Sequence, residues 1–146
     1  MSLAEAGITL PFSRFRHYAN FMRIILQPLG ITVVREESSE ECIIFRFARP
    51  PSPSIVLSIM GTHEGYLLDP EVKAFTGMRL RFHADTAEQV DRFREYALQA
   101  GGRTVNHDSR IGEWEKVASI DDPVLGMRIT CTYEPPAAPG YSGPST

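Results

Sequence analysis

Apolar positions along this chain switch between two periods, and they do so twice. Residues 7–12 alternate, as a half-buried strand does. After Ser13, a good N-cap residue, Tyr18, Met22, Ile25 and Leu29 recur at spacings of four, three and four, and Phe21 and Leu26 widen the stripe. That pattern predicts an amphipathic helix to about residue 28, closed by Pro28-Leu29-Gly30. Residues 31–36 are β-branched and strand-like, and residues 37–40 read as a turn. Residues 41–48 and 54–60 are strands rich in Ile, Val and Phe, separated by the proline-rich loop 49–53. The order is β-α-β-β-β.

A connector at 61–77, punctuated by Gly61, Gly65, Pro70 and Gly77, leads into a second run of the same kind. It comprises a strand at 78–84, then a helix capped by either Asp85 with Glu88 or Thr86 with Gln89. The helix carries an apolar face of Val90, Phe93, Ala97 and Ala100 and stops at Gly101-Gly102. Strands at about 103–107, 113–120 and 127–133 complete it. The halves superpose at an offset of 72 residues: Phe21 falls on Phe93, Gly30-Ile31-Thr32-Val33 on Gly102-Arg103-Thr104-Val105, and Leu57-Ser58-Ile59 on Ile129-Thr130-Cys131. A period this long, made of mixed elements, is two copies of one supersecondary unit and not a solenoid. The units are placed at 7–60 and 78–134. The remaining 135–146, mostly Pro, Gly, Ala and Ser, cannot bury enough surface to offset ordering and read as a disordered tail.

Composition narrows the function. At 146 residues the chain can build a core without disulfide staples. A net charge of −3 gives no global case for nucleic acid. No run of roughly 18 apolar residues points to a membrane span, and no charged segment followed by an apolar run marks a secretory leader, so a cytoplasmic protein is expected. Cys42 and Cys131 stand in separate halves without metal-like spacing and are read as reduced thiols. The four histidines, His17, His63, His83 and His107, share no HxH or HxxxH spacing.

Several local stretches resemble the vicinal oxygen chelate superfamily, which includes glyoxalase I, bleomycin-resistance proteins and extradiol dioxygenases. Phe21 to Gly30 is similar to its first helix end, Gln89-Val90-Asp91-Arg92-Phe93 through Gly101-Gly102 to its second helix, and Asp122-Pro123-Val124-Leu125-Gly126 to its last turn with one extra residue. The resemblance implies an α+β fold in which two tandem βαβββ units form a curved mixed sheet with the ligand inside the cup, and a homodimer. It places the four metal-ligand positions of the family's enzymes at Gly7, Ser58, Arg79 and Thr130. None is a normal ligand, and a slip along the strands to Met78, Thr9 or Arg81 does not supply one. Neither metal nor cofactor is therefore expected.

Strand parity assigns what faces the cup instead. Leu80, Phe82 and Ala84 suit the helix side, which leaves Arg79, Arg81 and His83 on the other. By the same argument Ile129, Cys131 and Tyr133 go with the helix, while Arg128, Thr130 and Thr132 join the arginines. Gly7, Thr9 and Pro11 share that side in the first unit. Guanidinium forks suit carboxylate or phosphate. The primary expectation is a protein that binds a small anionic organic molecule through Arg79, Arg81, Arg128, Thr130, Thr9 and Ser58. Two alternatives stand beside it. One is a lyase, isomerase or dioxygenase-type enzyme, with His83 paired to Glu113 or His107 as acid and base. The other is a dimeric interaction module without a ligand.

Overall fold

A computed structural model describes residues 6–63, 79–105 and 116–135. Strand β1 (Ala6–Pro11) runs straight into helix α1 (Phe12–Leu26), which tightens into a 3-10 turn at Gln27–Leu29. Strands β2 (Thr32–Ser38), β3 (Cys42–Ala48) and β4 (Ile55–Thr62) follow. The second unit repeats the order with β5 (Arg79–His83), α2 (Ala87–Gln99), β6 (Arg103–Thr104), β7 (Lys116–Asp121) and β8 (Arg128–Tyr133). The α+β class and the tandem βαβββ order are as expected. The expected connector and tail lie almost wholly outside the described residues, as do His107 and Glu113.

Sheet architecture departs from expectation. The strands do not join into one curved mixed sheet. They form two four-stranded sheets, ordered β1-β4-β3-β2 and β5-β8-β7-β6. In each, the first strand runs parallel to the last of its own unit and the other pairings are antiparallel. Every described strand therefore finds its hydrogen-bond partners within its own unit, and no ladder carries one sheet into a cup with the other. The units are instead joined through their helices. One apolar cluster takes in Phe15, Phe21, Met22 and Ile25 from α1, Val90, Phe93 and Ala97 from α2, and inward residues of both sheets. The Tyr18 hydroxyl meets the Met127 sulfur at 3.7 Å, and Gly102 leaves room for the Phe21 ring. Arg49 of the first unit donates to the main-chain oxygen of His83 in the second at 2.7 Å.

Helix starts follow local chemistry. α1 begins one residue before Ser13, and Pro11 occupies the N-cap position, its backbone at φ −65° and ψ 149°, with no side-chain cap. The strand thus turns directly into the helix, and Ser13 falls inside it. α2 carries the Thr86–Gln89 capping box: the Thr86 hydroxyl accepts from the Gln89 amide and the Gln89 side chain accepts from the Thr86 amide.

Candidate functional site

Burial follows the predicted alternation in β5. Arg79, Arg81 and His83 are exposed, and Leu80 and Phe82 are buried against the helix layer. In β8, Ile129 and Cys131 are buried on the helix side, and Arg128 and Thr130 are half-buried on the other. The ladder then aligns the open face of the second sheet into rows. Arg79 lies opposite Arg128, which lies opposite Asp121, which lies opposite Arg103. Arg81 lies opposite Thr130 and Thr130 opposite Ser119, with their hydroxyls 2.9 Å apart. His83 lies opposite Thr132, whose hydroxyl is 3.1 Å from its Nδ1.

Electrostatics separates the arginines. Arg128 donates to Asp121 from Nε at 2.8 Å, with both side chains about one-third exposed. That hydrogen bond holds the guanidinium pKa above its ordinary value. Arg128 thus already has a carboxylate partner, which distinguishes it from Arg79 and Arg81. Arg79 and Arg81 form no ion pair among the described residues. Arg79 and Arg128 lie directly opposite each other, and of the two only Arg128 has a carboxylate partner among the described residues, an arrangement that is unfavourable until more negative charge arrives. Asp121, Arg103 and Ser119 had not been singled out in the sequence. Their membership depends on the β7–β8 and β6–β7 registers, for which the chain offers only the Asp-Pro turn as a signal. That turn is held by Asp122, a buried carboxylate accepting from the amides of Val124 at 2.8 Å, Leu125 at 2.5 Å, Gly126 at 3.3 Å and Met127 at 2.7 Å.

In the first sheet Gly7 lies opposite Ser58 and Ser58 opposite Arg46. Arg46 donates to the Ser58 hydroxyl at 3.1 Å and reaches Glu37 at 3.5 Å. Thr9 lies one step along, opposite Met60. Thr9 and Ser58 are therefore not brought into a row with Arg81 and Thr130: each pair belongs to its own sheet. The 72-residue offset also does not carry over to the parallel ladders. Gly7 pairs with Ser58, but their counterparts Arg79 and Thr130 are not opposite each other, because the second ladder is slipped by two residues. An even slip keeps every side chain on its face, so it brings no metal ligand into place. Glycine offers no donor, the Ser58 hydroxyl is held by Arg46, and a guanidinium at Arg79 or Arg81 repels a cation. The residues present do not fit a family-type metal. No cluster of three or more His, Cys, Asp or Glu suited to a metal occurs among the described residues.

Two surface grooves lie on the helix side. One of about 550 Å³ is bordered by Arg14, His17, Phe21, Ala100 and Pro123, and one of about 360 Å³ by Arg16, Asn20, Arg23 and Phe45. Neither includes the open-face arginines of the second sheet. Cys42 is half-buried and Cys131 buried, and both are free thiols. Burial pushes the Cys131 thiol up to about 12, opposed in part by Arg49.

This is the fold of the glyoxalase/bleomycin-resistance/dioxygenase, or vicinal oxygen chelate, superfamily, at low sequence identity. A glyoxalase family protein from Bacillus cereus aligns with a TM-score of 0.67 at 12% identity, over 92% of this chain and 94% of its own. A glyoxalase/bleomycin resistance protein from Albidiferax ferrireducens aligns at 0.61 and 20% identity, over 89% of this chain and 98% of its own. The fosfomycin resistance protein FosX from Listeria monocytogenes aligns at 0.59 and 13%, over 92% and 94%. A mutant of that protein, in complex with Mn(II) and 1S,2S-dihydroxypropylphosphonic acid, aligns at 0.54 and 15%, over 90% of both chains. No protein-family model matches the sequence, and no curated protein does.

Proposed function

We propose that this protein binds a small organic anion on the open face of its second sheet, without a metal of the superfamily type. One observation carries the reading. On a chain of net charge −3, that face gathers Arg79, Arg81, Arg103 and Arg128 against the single carboxylate Asp121 among the described residues. The positive charge is local and not a property of the whole molecule. Arg81 is the centre of the proposed site, with Thr130 and Ser119 beside it to accept or donate to the ligand's remaining polar atoms. Arg79 is the second cation, and Arg128 with Asp121 forms the wall. Carboxylates, phosphates and phosphonates all present the planar or tetrahedral oxygens that a guanidinium fork recognises.

The reading is tested by thermal shift with inorganic phosphate, methylphosphonate and citrate, since a ligand that binds only the folded state raises its stability. A melting-point rise in the parent that is lost in Arg81→Met supports it. An equal rise in both proteins would contradict it.

Catalysis is the second reading, favoured by the Thr132 hydroxyl that orients the His83 ring beside the arginines. In that case His83→Gln abolishes turnover of the bound anion and leaves its affinity intact. We further propose a homodimer in a cytoplasmic setting. The dimer is supported by the exposed edge strand β2 and the setting by two unpaired thiols. Among the described residues no helix is long and apolar enough to cross a membrane.

A further inference from the structure

The two helices handle charge differently. On α2, Arg92 pairs with Glu88 at 2.8 Å, and Asp91 receives Lys116 from β7 at 2.7 Å. α1 contains no Asp or Glu at all, and Arg14, Arg16, His17 and Arg23 stand exposed along its outer side. None of these forms an ion pair among the described residues. The groove of about 360 Å³ opens beside this stripe, bordered by Arg16, Asn20, Arg23 and Phe45. The Arg23 guanidinium lies 5.7 Å from the centre of the half-buried Phe45 ring. Across the β2–β3 ladder, Phe45 is opposite Glu36. Glu36 opens an exposed acidic stretch with Glu37, Glu40 and Glu41, of which only Glu37 is in an ion pair among the described residues. A basic groove and an acidic edge therefore adjoin on either side of one aromatic ring.

Such a patch is self-complementary under a two-fold axis. Rotation about an axis near Phe45 brings the acidic edge of each protomer onto the basic groove of the other, with apolar surface at the centre and charge at the rim. We propose that a second copy of this chain docks here, with Glu36 and Glu40 of each protomer facing Arg16 and Arg23 of its partner. The inference rests on the dimer reading above and is independent of the anion site, which lies on the opposite side of the other sheet.

Charge exchange between variants tests it. Sedimentation velocity is run on the parent protein, on the double variant Arg16→Glu/Arg23→Glu and on the double variant Glu36→Arg/Glu40→Arg. All four positions are exposed, and circular dichroism confirms that each variant is folded. The parent is expected to form a dimer that weakens with salt. Each double variant alone should dimerise about tenfold or more weakly, because like charges then meet at both contacts. Mixing the two variants should restore a dimer, since every contact again pairs opposite charges. A parent dimer insensitive to both reversals would overturn this interface and leave the dimer standing on another surface. Folded variants that stay monomeric on mixing would overturn the proposed juxtaposition. A parent that is monomeric at high micromolar concentration would overturn both the interface and the dimer.

Discussion

Cys131 and Tyr18 show how burial at single residues sets the response of this fold to pH. The Cys131 thiol ordinarily ionises at 9.0 and is pushed up to about 12 in the folded chain, chiefly by burial. Tyr18 is also driven upward, first by burial and then by the Asp122 carboxylate. Below pH 9 both folded and unfolded chains keep the Cys131 proton, and stability is whole. Between pH 9 and 12 the unfolded chain releases it and the folded chain does not, so stability falls by about 1 kcal/mol per pH unit. Urea unfolding at pH about 8 and about 10 should show this fall, and Cys131→Ala should flatten it. The arginines separate by partner. Arg128→Met removes the Asp121 pair and should lower the urea-unfolding free energy by under about 1 kcal/mol, because both groups are partly solvated. Arg81→Met, with no such pair among the described residues, should leave it unchanged. The exposure of Arg79, Arg81 and His83 was legible from alternation alone, because strand parity is a local property. The pairing of Arg128 with Asp121 was not, because it depends on how residues 122–127 turn and hence which residue of β7 arrives opposite.

Element starts and registers were legible to different depths. Two capping boxes fitted the second helix from its sequence, and the structure uses the one anchored on Thr86. Thr86→Ala should therefore cost about 1 kcal/mol. Asp85→Ala, which loses only an exposed contact with Arg49 at 3.9 Å, should stay within about 0.5 kcal/mol of the parent. Chemical denaturation of the two variants checks the difference. At the end of β4 the chain needs a glycine for room. A Cβ at Gly61 would lie 2.6 Å from the Phe15 ring, which is itself buried, so Gly61→Ala should destabilise by roughly 1–3 kcal/mol. The order of elements along each unit could be read from the repeat, but the strand order within the sheets and the parallel registers could not. A slip of two residues preserves both faces of a strand, so the apolar pattern is equally satisfied either way. Only the ladder distinguishes Arg79 opposite Arg128 from Arg79 opposite Thr130.

At the level of the molecule, the repeat announced two units but not how they would be joined. Hydrophobic patterning says which face of a strand is buried and nothing about which sheet edges meet, so a single curved sheet was expected where two separate sheets form. The joint is a shared helical core, with Tyr18 of one unit against Met127 of the other. One cooperative transition is expected to follow, because neither unit encloses a core of its own. Far-UV dichroism and labelling of Cys131, in a Cys42→Ala background, should report the same urea midpoint. A gap between the two probes would show that the units unfold separately. The proposed function rests on the face that this core leaves open. Its central claim, that Arg81 with Arg79 holds a small anion, is tested most directly by titration calorimetry. The parent, Arg81→Met and Arg79→Met are each titrated with the anion that gives the largest melting-point rise among phosphate, methylphosphonate and citrate. A charge-assisted hydrogen bond is worth about 1.5–3 kcal/mol, so each substitution should weaken binding by about tenfold or more while the melting temperature of the free protein stays the same. Unchanged affinity in both variants would contradict the account.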